Sequence, residues 1–149
     1  MAELWFYHLE RTSLDQALPE LLMKVMERGS RALVVSPDEE RIRALDAALW
    51  TFRDDAFLPH GRADEPEPER QPVLLSTEET NLNAASMLFC LDGHDPQGAE
   101  AFDRVIVMFE AGDESRVQAA RALWKRASGQ GLGVSYWRQT PEGRWEKKA

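Results

Sequence analysis

Arg121, Trp124 and Lys125 are the residues of this 149-residue chain whose types and spacing best suit recognition chemistry. Residues four apart on an α-helix stand one above the other, so Arg121 and Lys125 share a face, with Trp124 beside them. Arginine can grip a carboxylate through two parallel hydrogen bonds, lysine adds a point charge, and an indole supplies an apolar wall. Together they make a clamp for an acidic peptide that ends in a bulky residue and a free carboxylate. The plainer reading is an amphipathic helix with Ala119, Ala120, Leu123 and Ala127 towards the core and both cations solvated. Trp50 and Phe57, at a helix end and in the loop after it, are aromatics of the kind that anchor a protein interface or cap a core.

Catalytic chemistry has less to work with. Asp54 and Asp55, with His60 nearby, could hold a divalent cation in a metal-dependent hydrolase or nuclease. In a chain with 26 acidic residues such a pair reads more readily as solvating charge, and no basic groove accompanies it. His8, His60 and His94 are far apart and form neither HxxxH nor HExxH, so each reads as structural or solvent-facing. Cys90 sits inside an apolar run, where cysteine behaves as a small hydrophobe, and a lone cysteine permits neither an internal disulfide nor a cysteine-based zinc site. The turn after the first strand, Glu10-Arg11-Thr12-Ser13, lacks the glycines of a phosphate cradle, and GxxxxGK[ST] is absent. No cofactor or metal is expected; a degenerate nucleotide-binding domain is the remaining alternative.

The positioning elements follow from apolar periodicity. Residues 3–9, 31–36, 72–76, 86–92 and 104–110 are short apolar runs that predict buried strands. Between the first two, Leu18, Leu21, Leu22, Val25 and Met26 recur at helical spacing, and Pro19 suggests that the regular helix begins near it. Ser36-Pro37-Asp38-Glu39 places a capping hydroxyl, a first-turn proline and an acid three residues after the cap, predicting a helix with Ile42, Leu45, Leu49 and Phe52 on one stripe. From Asp54 to Gln71 the chain turns polar, and its acidic, Pro-rich part, about 61–71, reads as an exposed, mobile loop. A further helix runs from about Asp113 to Ser128. The tail reads as a strand, a turn at Pro141-Glu142-Gly143 and a short second strand. Alternating strands and helices predict one α/β domain over 1–149, with a mostly parallel sheet covered on both faces.

Composition narrows the function. With 43% hydrophobic residues, five Trp and six Phe, the chain can bury a core. No apolar run is long enough for a membrane span, and the N-terminus lacks a secretory signal, so a soluble cytoplasmic protein is expected. The net charge of −8 argues against general nucleic-acid binding. It is unevenly spread: residues 1–103 hold 9 basic and 21 acidic side chains, whereas 104–149 hold 9 and 5. A basic island on an acidic protein suits a short acidic peptide better than a long polyanion.

Several segments in the same order resemble the chi-subunit family of the bacterial DNA polymerase III holoenzyme. They are Phe6-Tyr7-His8-Leu9, Leu45-Asp46-Ala47-Ala48-Leu49-Trp50, Phe57-Leu58-Pro59-His60, Pro72-Val73-Leu74-Leu75, and Ala120-Arg121 with Trp124-Lys125. The resemblance implies a Rossmann-like, three-layer α/β domain without an active site of its own. It implies binding of the acidic C-terminal tail of single-stranded-DNA-binding protein at Arg121, Trp124 and Lys125. It also implies that a psi-like clamp-loader partner, or a helicase, docks at Trp50 and Phe57. One position departs from the family pattern: Val117 stands one turn before Arg121, where better-known members carry a further basic residue. Arg116 is adjacent but rotated about 100° around the helix, so it is an imperfect substitute.

Overall fold

The computed structural model describes residues 3–51, 58–142 and 144–148. Strand β1 (Glu3–Leu9) leads through α1 (Leu14–Glu27) to β2 (Ala32–Val35), and α2 (Glu39–Thr51) follows. Then come β3 (Gly61–Arg62), β4 (Val73–Ser76), β5 (Met87–Cys90) and β6 (Arg104–Glu110). Helix α3 (Glu114–Gly129), β7 (Gly133–Gln139) and β8 (Trp145–Lys147) complete the chain. Among the described residues these strands form one sheet in the order β3-β4-β2-β5-β6-β1-β7-β8. Every neighbouring pair is parallel except β7 and β8, so the α/β sheet is mixed and its antiparallel strand lies at one edge.

Alternation along the strands divides the core in two. Tyr7, Val34, Leu75, Phe89 and Met108 point to the face covered by Leu18 and Leu22 of α1 and Leu45 and Leu49 of α2. Phe6, Leu33, Leu74, Leu88 and Val107 point to the other face, against Val117, Ala120, Leu123 and Ala127 of α3. The short strands β2 and β4 are buried throughout, as expected for central parallel strands. Among the described residues no helix is long and apolar enough to cross a membrane.

Three boundaries differ from the sequence expectation. Helix α1 begins at Leu14 and contains Pro19 in its interior. The Gln16 side chain accepts from the Ser13 N–H at 3.1 Å and organises the first turn. The proline withholds one backbone hydrogen bond, and its ring is buried with the apolar face. Helix α2 begins at Glu39, with Asp38 Oδ1 accepting from Glu40 N–H at 3.0 Å. The Ser36 hydroxyl accepts from the Asp38 N–H at 3.1 Å, just ahead of the helix, and donates to Asp92 Oδ2 at 2.7 Å. Finally, Gly61–Arg62 pairs with β4 where the sequence suggests only loop, and Pro68–Arg70 forms a 3-10 turn.

One side chain ties the β1–α1 turn to the end of the neighbouring strand β7. Gln139 Oε1 accepts from the backbone N–H groups of Glu10, Arg11 and Thr12 at 3.0, 2.8 and 3.2 Å. Its Nε2 donates to the Thr12 hydroxyl at 2.8 Å. A turn after the first strand is where nucleotide-binding α/β sheets hold phosphate on backbone N–H groups. Here the chain's own amide occupies those donors. Replacing it strands three partly buried donors, so Gln139→Ala is expected to lower stability by about 1–3 kcal/mol, read as a lower urea midpoint with an unchanged slope.

Candidate functional site

Helix α3 owes its start to Asp113, whose carboxylate accepts from the Arg116 N–H at 3.2 Å. Its buried stripe is Val117, Ala120, Leu123 and Ala127; Ala119, expected to face the core, is exposed and Val117 takes that role. Seating this stripe on the sheet leaves Arg121, Trp124 and Lys125 along one edge of the helix. There they line a groove of about 720 Å³ with Val117 of the same helix.

The floor of the groove comes from strand register. Phe6 lies between Val107 and Tyr136, and His8 lies between Phe109 and Arg138, so side chains of the two rows project to the α3 side. Phe6, His8, Phe109 and Tyr136 accordingly line the groove. Trp124 meets Phe6 edge-on at 5.3 Å and Tyr136 at 6.4 Å, which holds the indole as a fixed wall. His8 stacks on Phe109 at 4.8 Å, and its Nδ1 is hydrogen-bonded to the Tyr136 hydroxyl. Burial pushes the His8 pKa below its ordinary value; Glu10 opposes this, and Arg138 and Arg121 reinforce it. Burial also raises the Tyr136 phenol.

Charge pairing separates the cations of this region. Arg116 is 3.6 Å from Asp113, Arg126 is 2.6 Å from Asp95, and Arg138 holds Glu10 through two 2.6 Å hydrogen bonds. Among the described residues neither Arg121 nor Lys125 is paired with a carboxylate. The pairing with Arg138 lowers the Glu10 pKa, so that carboxylate remains charged and committed to its partner. Exposed, unpaired cations above an aromatic floor can take an anionic group with an apolar neighbour.

Arg116 is not part of this arrangement. It lies over Gly93, whose positive φ of 79° suits glycine and where an added Cβ would come within 2.4 Å of the guanidinium. The side chain is therefore turned towards the β5–β6 connection, and Val117 and Gln118 represent that turn of the helix in the groove.

The chain matches the family described as DNA polymerase III chi subunit, HolC, over residues 1–135. The chain belongs to the DNA polymerase III chi-subunit family. Its relatives include the probable DNA polymerase III subunit chi of Rickettsia prowazekii, 24% identical over all of this chain and 93% of that protein. The Escherichia coli DNA polymerase III subunit chi is 28% identical over 85% of this chain and 88% of its own length. The Pseudomonas aeruginosa subunit is 32% identical over 60% and 62%. The family connects the chain to DNA replication, as an accessory component of the polymerase. Among solved structures, the C-terminal domain of S. cerevisiae Dbp5 bound to Gle1 and IP6 has a TM-score of 0.53 at 11% identity, covering 88% of each chain. A longer Dbp5 chain in such a complex reaches 0.61 at 10% identity, over 95% of this chain and 43% of that one. At such identities the likeness is one of fold.

The second chi-like feature is only partly described. Trp50, in the last turn of α2, is 51% exposed and leans over the His60 ring at 4.3 Å; Phe57 lies outside the described residues. His60 is buried, with Nδ1 at 2.8 Å from the Leu58 carbonyl and Nε2 at 2.9 Å from the Asp46 carbonyl and 3.0 Å from its carboxylate. Both ring nitrogens are engaged, so His60 serves as a support for Trp50 and offers no free nitrogen to a metal. Asp54 and Asp55 lie outside the described residues. Among the described residues no cluster of His, Cys, Asp and Glu could hold a metal ion.

Sequence reasoning finds Arg121, Trp124 and Lys125 but misses Phe6, His8, Phe109 and Tyr136. The available signal was the even-numbered face of β1, which becomes informative only once its parallel neighbours and their register are known. Cys90 is buried, and burial drives its thiol pKa well up. The native protein should leave Ellman's reagent unreacted at mildly alkaline pH over a time in which guanidinium-unfolded protein reacts fully; rapid native labelling would contradict the buried placement.

Proposed function

We propose that this chain is a noncatalytic cytoplasmic adaptor of the DNA polymerase III holoenzyme that couples the clamp loader to protein-coated single-stranded DNA. It reads the protein coat through the acidic C-terminal tail of single-stranded-DNA-binding protein. In this reading Arg121 and Lys125 take the tail's carboxylates, and Trp124 with Val117 packs against its last apolar side chain. The carrying observation is that these two cations have no carboxylate partner among the described residues while Arg116, Arg126 and Arg138 around them are paired. An acidic protein gains little from DNA phosphates, whereas a local cationic clamp suits a short acidic segment.

The 149 residues act as one Rossmann-like, three-layer domain, a reading supported by α1 and α2 on one sheet face and α3 on the other. A psi-like clamp-loader subunit, or a helicase in its place, docks on the surface marked by Trp50 and Phe57. The helix that carries Trp50 and the helix that carries the clamp cover opposite faces of the sheet, so both partners can be held at once.

A labelled peptide copying the tail of the same organism's single-stranded-DNA-binding protein tests the reading by fluorescence anisotropy. Binding should weaken as salt screens the exposed cations, and removal of the last peptide residue should abolish it. Arg121→Ala should weaken binding roughly tenfold, the loss of one charge-assisted contact, while leaving the melting temperature nearly unchanged. Full affinity in that variant would move the site elsewhere.

A further inference from the structure

The floor of the groove holds a hydrogen-bonding group that the clamp of Arg121, Lys125 and Trp124 leaves unused. His8 Nδ1 is engaged with Tyr136, but His8 Nε2 is buried without a partner among the described residues. A buried polar atom left unpaired is unfavourable, which marks this one as a place for a ligand atom. Tyrosine hydroxyls both donate and accept. In the neutral tautomer whose ring hydrogen sits on Nε2, Tyr136 donates to Nδ1. With the ring protonated, Nδ1–H donates to the Tyr136 oxygen and Nε2 still carries hydrogen. The same partner thus accommodates both states, and both present a donor at Nε2.

We propose that His8 is the third recognition group of this groove, donating from Nε2 to a carboxylate of the bound acidic peptide and taking up a solvent proton on Nδ1 as the complex forms. The proposal rests on the adaptor reading and adds a proton-linked contact to it. Glu10 on its own strand, Arg138 on β7, and Arg121 and Lys125 on α3 are the charged groups around His8. Glu10 is held by Arg138 through two 2.6 Å hydrogen bonds, and Phe109, from β6, is neutral. Unliganded, the ring faces surplus positive charge and partial burial, both of which favour the neutral form. A ligand carboxylate against Nε2 reverses that balance. Since the bound state then holds more protons than the free state, affinity rises as pH falls.

The test is peptide affinity of the full chain at constant ionic strength between about pH 8 and about pH 6. Wild type should bind roughly fivefold more tightly at the lower pH. His8→Gln, which keeps an N–H donor without titrating, should match wild type within about twofold at the higher pH and lose the slope. His8→Leu should bind roughly fivefold more weakly at the higher pH and also lack the slope. His60 and His94 remain in every variant. An undiminished slope in His8→Gln would assign the linkage to them and overturn this proposal while leaving the groove as the binding site. Absence of binding by wild type at every pH would overturn the adaptor reading itself, and this proposal with it.

Discussion

Strand β1 is paired in parallel with β6 along its full length and with β7 along nearly all of it, and that register governs what surrounds it. It sets Phe6 beside Val107 and Tyr136, and His8 beside Phe109 and Arg138. Side chains alternate faces along a strand, so a slip of one residue would send Phe6 and His8 to the α1 side and bring Trp5 and Tyr7 under α3. The seat of α3, the aromatic floor of the groove and the reach of Gln139 to the β1–α1 turn all follow from this pairing. The slip is opposed by burial on both faces: Phe6 is almost fully buried on one and Leu9 on the other.

Electrostatics then act on a surface that packing has already shaped. The chain is acidic overall, and its basic third would be unremarkable if each cation were neutralised locally. Several are, by partners close in sequence, such as Asp113 for Arg116, or brought from far away, such as Glu10 for Arg138. Arg121 and Lys125 have no carboxylate partner among the described residues and stand together over the apolar walls of one groove. Charge alone would attract any anion. In the proposed reading, the adjoining Trp124 and the aromatic floor favour an anion that brings an apolar group with it, while the acidic remainder of the protein disfavours an extended polyanion.

The turn after β1 shows a related economy. Parallel α/β sheets have backbone donors at such turns, and nucleotide-binding members leave them open for phosphate. Gln139 satisfies three of them with one oxygen and anchors the end of β7 in the same contact. A position suited to nucleotide chemistry is here a structural joint, and the proposed recognition surface lies instead between α3 and the sheet.

Much of this was legible in the sequence because its signals are local. The strand at residues 3–9, the α3 periodicity, the βαβ alternation and the shared face of Arg121 and Lys125 depend on residues within one or two turns of each other. The helix starts were less legible: Asp38 caps α2, while the Ser36 hydroxyl holds the turn before it and also reaches Asp92, far along the chain. The floor of the groove was not legible at all, since Phe6, His8, Phe109 and Tyr136 come from three strands that meet only in the sheet. Nor could sequence tell that Arg116 turns to Gly93 while Arg121 has no carboxylate partner among the described residues. By itself the sequence determined the elements, their buried faces and the helix that carries the cations, because backbone propensity and apolar spacing act over short range. Only tertiary structure decided which cations are neutralised and which aromatics lie beneath the rest, because strand register and ion pairs such as Glu10–Arg138 and Asp95–Arg126 join residues far apart in the chain.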